Sequence, residues 1–310
     1  MLAVFDLGFS ALKYKIGEKK GRIVSAYTRH GDDIVVGEEV LLRTGSNYLK
    51  TPEELSRHYA SFVEHALREA DVAPGQTITL AVGLPYAYLQ SEMEKGADNP
   101  SSAVCQIRQS LLAISGCQVA DVFVFGQGYG GIMHYLNHSG SLWGDGNIMG
   151  IDIGFNTVIS TLYSTRRKKV LYNSTSYKRG VHQMATKLLL PKIAHMTPGR
   201  SMTPVEISRI LERRELQYGL DRIDLSKEID RSAQTFLEDT IADVVGDLRG
   251  EMGSGAEFSD VVFFGGGARY FSTINSSRVR ISILHEPEFS NVYGFEVLAR
   301  KIMAGERKVA

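Results

Sequence analysis

The stretch FDLGFSALKYKIG, residues 5–17, decides the fold because its pattern recurs later in the chain. An apolar run ends in Asp6, a tight turn carries Gly8, Phe9 and Ser10, and an alternating segment with Lys13 follows over 11–16. The order recurs from Asn147, where IMGIDIG leads into Phe155, Asn156 and the segment TVISTLY. With Asp6 set on Asp152, Gly8 falls on Gly154, Ser10 on Asn156 and Lys13 on Ile159. A single Asp-x-Gly turn is most often an ordinary strand connection whose carboxylate accepts turn hydrogen bonds. Two copies in the same strand context point instead to an internal duplication.

Each copy predicts three antiparallel strands in succession. In the first they are 2–6, 11–16 and 22–28, with Glu18 to Gly21 as a turn; in the second, VLYNSTSY follows TVISTLY across the polar turn TRRKK at 165–169. Helical periodicity puts Leu55, Tyr59, Phe62, Val63, Ala66 and Leu67 on one face of residues 53–70, with Pro52 at the start. A longer stripe from Ile229 to Leu248 predicts a helix over 226–250 with Ser226 as its N-cap. Apolar strands are expected at 77–83, 119–125, 260–264 and 280–284. Strands and helices alternate in both halves, so the expected class is α/β with two similar domains. Residues 1–145 plus 292–310 are assigned to the first domain and 146–291 to the second. The glycine-rich loop SGSLWGDGN at 139–147 is the expected crossing, and a helix over 292–304 is expected to return to the first domain.

Composition narrows the partners. The 310 residues carry 35 Lys and Arg against 35 Asp and Glu, so no net field draws the whole chain onto nucleic acid or an anionic membrane. Two cysteines, Cys105 and Cys117, are too few for a disulfide framework. No uninterrupted apolar run reaches the about 18 residues of a membrane span. The expectation is a cytoplasmic protein with no membrane contact and no direct nucleic-acid binding.

The turns carry the chemistry. Gly8 lets backbone approach a ligand and Ser10 adds a hydroxyl donor, a combination that suits a phosphate cradle. Asp6, at a strand's carboxyl end, is placed to hold water around Mg²⁺, and Lys13 to reach phosphate oxygens. Asp152, Gly154, Asn156 and Thr157 repeat the arrangement. A third turn, Gly265, Gly266 and Gly267 in DVVFFGGGARYF, offers bare backbone to a ribose, base or phosphate, although flexible turns use the same residues. Other features read more plainly. His134 and His138 have the i, i+4 spacing of metal ligands, but no Glu follows the first His and no third ligand is evident, so a solvated helix end is the expectation. TRRKK reads as an exposed turn, and Tyr86 and Tyr88 as packing beside a strand end.

Taken in order, DLGFSALK, GLP at 83–85, VFVFGQGYG, IDIGFNT and FFGGGA resemble the actin-like ATPase family, especially bacterial plasmid-segregation proteins of the ParM or StbA type. The resemblance spans nearly the whole chain. It implies two ribonuclease H-like (actin-like) domains flanking a nucleotide cleft that holds ATP and Mg²⁺. Asp6, Gly8, Phe9, Ser10 and Lys13 match the first phosphate motif; Asp152, Gly154, Phe155, Asn156 and Thr157 match the second; Gly265 to Gly267 match the adenosine motif. The segment from Arg209 to Glu215 falls where such proteins contact adenine, though its match is poor. Gln127 stands where the family positions the attacking water, beside the cation-holding Asp6 and Asp152. The implied function is ATP hydrolysis coupled to head-to-tail filaments, for plasmid DNA segregation through a DNA-binding adaptor protein. Two alternatives stand beside it: a metabolite kinase of the same superfamily, against which Gln127 argues because it is no strong base, and a nucleotide-binding adaptor that does not polymerise.

Overall fold

A computed structural model describes residues 1–30, 33–42, 45–96, 98–138, 146–196, 202–253, 257–271 and 280–306. The opening stretch becomes the centre of a sheet. Strands β1 (Leu2–Leu7), β2 (Ala11–Ile16) and β3 (Lys19–Val24) run antiparallel in succession. The third strand starts and ends earlier than the expected 22–28. Gly17 takes a left-handed φ of 58°, so the chain reverses at once and Lys19 already pairs with Ile16. At Ser25 the chain leaves this sheet, its N–H donating to the Ser10 carbonyl and its hydroxyl to the Gly8 carbonyl. Strands β4 (Ala26–His30), β5 (Asp33–Val36) and β6 (Asn47–Tyr48) then form a small side sheet in the order β5-β4-β6.

Helix α1 (Pro52–Glu69) starts at a capping box: the Thr51 side chain accepts the Glu54 N–H, and the Glu54 carboxylate accepts the Thr51 N–H. Its expected apolar face is buried against the sheet. Tyr59 on that face is fully buried. Its hydroxyl accepts N–H groups from Leu7 and Gly83, at 3.3 and 3.0 Å, between β1 and the parallel strand β7 (Thr77–Pro85). Helices α2 (Tyr86–Glu94) and α3 (Ala103–Leu112) lead to β8 (Gln118–Gln127), which pairs parallel with β7, and to α4 (Tyr129–His138).

The second half repeats the plan with β9 (Asn147–Ile153), β10 (Thr157–Ser164) and β11 (Lys169–Tyr177). A helical segment over 181–193 follows, then α5 (Pro204–Arg213), the hairpin β12 (Glu215–Tyr218) with β13 (Asp221–Asp224), and α6 (Ser226–Met252). Ser226 is the first helical residue and not the cap. Leu225 holds the cap position, and the Asp224 carboxylate accepts the Ser226 N–H at 2.9 Å. Strands β14 (Asp260–Phe264) and β15 (Arg280–Ile283) complete the sheet, and α7 (Ser290–Met303) closes the described fold. The two five-stranded sheets have the orders β3-β2-β1-β7-β8 and β11-β10-β9-β14-β15, with antiparallel and parallel pairs at the same places. The duplication seen in two short motifs therefore extends through both sheets.

Helices α4 and α7 lie between the sheets. From α7, Val292, Phe295, Leu298 and Ala299 pack with Val4 and Ala81 of the first sheet and Ile132 and Met133 of α4. Tyr135, also on α4, packs with Ile148, Val262 and Phe264 of the second sheet. The final helix thus returns to the first sheet, starting slightly before the expected 292. Of the expected crossing loop, residues 139–145 lie outside the described residues. No described helix is long and apolar enough to cross a membrane.

The two helices touch backbone to backbone: a Cβ on Gly294 would fall 1.7 Å from the carbonyl oxygen of Gly130. Gly294→Ala is therefore expected to force α4 and α7 apart and to lower stability by roughly 1–3 kcal/mol, despite the better helix propensity of alanine. Denaturant unfolding measures this, and unchanged stability would show that the helices have room to spare.

Candidate active site between the two sheets

The paired turns are built alike. The N–H of Gly8 donates to the carbonyl of Ala11 at 3.1 Å, and that of Gly154 to Thr157 at 2.9 Å. Strand register sets Asp6 opposite Lys13 and Asp152 opposite Ile159, the pairing that the sequence alignment implies. The Lys13 ammonium folds back over its turn, 2.9 Å from where a Cβ of Gly8 would stand. In the second turn the hydroxyl of Thr157 takes the equivalent place beside Gly154, also at 2.9 Å. Positive charge therefore enters the pair from the first turn alone.

Behind the turns, Asp6 and Asp152 are only 4% and 7% exposed. Gln127, at the carboxyl end of β8, donates through Nε2 to Oδ1 of Asp6 at 2.6 Å and to the carbonyl of Leu7 at 3.2 Å. The start of the next helix is held by another residue. Asn291 of α7 accepts the N–H groups of Gly128 and Gly131 on Oδ1, both at 3.1 Å, and donates through Nδ2 to Asp152 at 2.7 Å and to Asp6 at 3.5 Å. Sequence reasoning missed Asn291; its one trace is a polar residue in the first turn of an otherwise apolar helix face. Burial, and then the charge of Asp6, push the Asp152 carboxyl up to about 6, against the opposing pull of Asn291 and Lys13.

The third turn closes on the second. Gly265 has φ = 82°, and a Cβ there would lie 2.2 Å from Oδ1 of Asp152, so only glycine fits. The N–H of Gly267 donates to the Ile153 carbonyl at 2.7 Å. Around Gly266 the space is open: a Cβ there would have Cβ of Glu288 as its nearest neighbour, 4.0 Å away. A cavity of about 660 Å³ lies here, lined by Phe9, Ser10 and Lys13 of the first turn, Gly154, Phe155 and Asn156 of the second, and Gly266 and Gly267 of the third. Gly8, Thr157 and Gly265 shape the turns without lining the cavity. Asp6, Gln127 and Asp152 are buried outside the lining. Of the expected adenine segment, Arg209 and Glu212 line the cavity, joined by Ser208.

A ring of charge that the sequence did not reveal borders the same cavity. Arg22 of β3 reaches Glu212 of α5 at 2.8 Å, and Arg269 reaches Glu212 at 3.0 Å and Glu288 at 3.3 Å. Burial opposes ionisation of Glu212, but its bonds to Arg22 and Arg269 hold its carboxyl below the usual range.

The remaining expectations resolve separately. His134 is buried and not solvated, its ring 4.6 Å from that of His138 and 4.9 Å from that of Tyr293, because α7 covers this side of α4. Burial, then His138, push His134 down to about 4. Among the described residues no group of three or more His, Cys, Asp or Glu side chains is placed to hold a metal ion. Arg166 to Lys168 lie exposed in the turn that leads into β11. The ring of Tyr86 packs over Gly126, beside the end of β8.

Two α/β halves of one topology, meeting at paired strand-turn-strand motifs, define the actin-like fold. No protein-family model matches the sequence, and none of the curated proteins matches it. Solved structures do. The archaeal actin homologue Ta0583 superposes with a TM-score of 0.72 at 14% identity, over 97% of this chain and 99% of that one. The same homologue in complex with ADP gives 0.70 at 13%, over 97% and 99%. A ParM subunit of a 15-stranded filament from Clostridium botulinum gives 0.64 at 16%, over 97% and 99%. This chain shares the actin-like fold of these proteins.

The raised Asp152 pKa has a defined consequence for the stability of the fold. An unfolded Asp ionises near pH 4, whereas in the fold Asp152 keeps its proton up to about pH 6. The fold therefore binds the extra proton between these values, and this contribution to stability declines as pH rises through that window. Asp152→Asn is expected to stabilise the protein by roughly 1–3 kcal/mol above pH 7, with the gain vanishing toward pH 4. Thermal unfolding across pH 4–8 measures it, and a gain independent of pH would assign the effect to something other than this carboxyl.

Proposed function

We propose that this chain is an actin-like ATPase that binds ATP and Mg²⁺ between two domains and forms nucleotide-dependent filaments. The carrying observation is the pair of matched turns, one with Lys13 folded over it, on one cavity of a size suited to a nucleotide. The ADP complex of a protein with this fold supports the nucleotide, and the ParM filament supports self-association. In this reading residues 1–145 with 292–310 form one domain and 146–291 the other.

The residues present fit the cofactor. Two buried carboxylates, one raised in pKa by burial and then by its neighbour's charge, make an electrostatic site that a cation relieves. Bound Mg²⁺ supplies charge neutralisation at the phosphates. Asp6 and Asp152 would hold its water shell, and Lys13 would meet phosphate oxygens as a point charge. Ser10, Asn156 and Thr157 would add side-chain donors, and the turns around Gly8 and Gly154 their backbone N–H groups. Gly265 to Gly267 would bring bare backbone against the nucleoside, with Arg209 and Glu212 beside the base. Gln127 has its amide nitrogen committed to Asp6 and Leu7, which leaves Oε1 to accept from the attacking water. Such a residue orients water without titrating.

Closure of the cleft on nucleotide favours one orientation of the domains, and a head-to-tail contact between copies that selects the same orientation grows into a filament because it does not close on itself. The proposed setting is cytoplasmic plasmid DNA segregation, with DNA reached through an adaptor protein.

Light scattering and negative-stain microscopy with ATP, with ADP and without nucleotide test the reading. Fibres are expected only with nucleotide, and monomers under all three conditions would defeat it. Lys13→Ala is expected to weaken nucleotide binding by roughly 10- to 100-fold, the worth of a charge-assisted hydrogen bond. Gln127→Ala is expected to bind nucleotide normally while turnover falls by about an order of magnitude or more. Fluorescent-nucleotide titration and phosphate release measure the two, and unchanged turnover in Gln127→Ala would remove its assignment.

A further inference from the structure

Three chain segments converge on one side chain. Asn291, 4% exposed, sits in the first turn of α7 and touches β1 through Asp6, β9 through Asp152, and the β8–α4 junction through Gly128 and Gly131. Gly128 directly follows Gln127, so the same side chain fixes the backbone on which Gln127 rides. No other residue type of this length offers both halves of the contact. Aspartate offers no donor to the carboxylates, and serine has a single proton for two of them. The helix that carries Asn291 is itself held to α4 by the backbone contact of Gly294 with Gly130, so the amide cannot drift with respect to the start of α4.

We propose that Asn291 is the positioning residue of this site: its amide nitrogen aligns Asp6 and Asp152 with each other, and its amide oxygen locks the first turn of α4 and with it Gln127. The inference rests on the proposed ATPase reading. Asn291 does not touch the reacting atoms; it sets the geometry of the three residues that would. Losing the donor half leaves two buried carboxylates facing each other unbridged. Losing the acceptor half frees the helix start.

Two variants separate the halves. Asn291→Ala removes both, and Asn291→Asp keeps an acceptor for Gly128 and Gly131 while removing the donor. Amide hydrogen exchange on nucleotide-free protein reads the acceptor half. Protection of Gly128 and Gly131 is expected to fall about tenfold or more in Asn291→Ala and to stay within about threefold of wild type in Asn291→Asp. Steady-state kinetics with ATP read the donor half: kcat is expected to fall about tenfold or more in both variants while KM stays within about threefold. Wild-type kcat in either variant, unchanged exchange in Asn291→Ala, or loss of protection spread equally through the core around Leu162 would overturn the proposal. A wild-type protein that neither binds nor hydrolyses ATP would instead defeat the ATPase reading. The exchange pattern would still show whether Asn291 locks α4.

Discussion

Asp6 and Asp152 are like charges buried where the two halves meet, and much of the surrounding structure answers that cost. Carboxylates out of water need donors. The fold supplies them from three elements: Gln127 from β8, Asn291 from α7 and the Lys13 charge from β2. The strands and turns that carry the carboxylates are held as well: Tyr59 is fully buried with its hydroxyl between β1 and β7, and Gly265 admits no side chain beside Asp152. A site that stores like-charge repulsion is one that a cation can relieve, so under the proposed function the constraint that strains the protein also prepares it for a ligand.

Duplication gave the two halves one plan, and divergence gave them different tasks. Both turns close with the same backbone hydrogen bond, yet Lys13 leans over the first and a threonine hydroxyl over the second. Beside β1, Asp6 pairs with Gly83; beside β9, Asp152 pairs with Phe264 and is then closed off by Gly265. The second half thereby presents bare backbone from its third turn, where the first presents Leu84 and Pro85.

Legibility followed the range of the interaction. The strands over 11–16 and 260–264 and the face of α1 could be read because alternation, helical period and a proline start are local properties. The Asp-x-Gly turns could be read because they occur twice. Asn291 could not, since its partners are Asp6, Gly128, Gly131 and Asp152, all more than a hundred residues away. His134 misled for the same reason: nothing beside it in the chain says that α7 will cover it. Ser226 misled more mildly, because Asp224 accepts its N–H and leaves Leu225 in the cap position.

The ring formed by Arg22, Glu212, Arg269 and Glu288 joins an edge strand of the first sheet to α5 and the loops of the second half. Each arginine can serve either glutamate, so partners can be exchanged without any one charge being abandoned. A few partly exposed ion pairs of this kind contribute little net free energy and are screened by salt. The two halves are thus fastened at this mouth by a seam that is easily unpicked and easily resewn, and the ionic strength of the surroundings sets how tightly it is drawn.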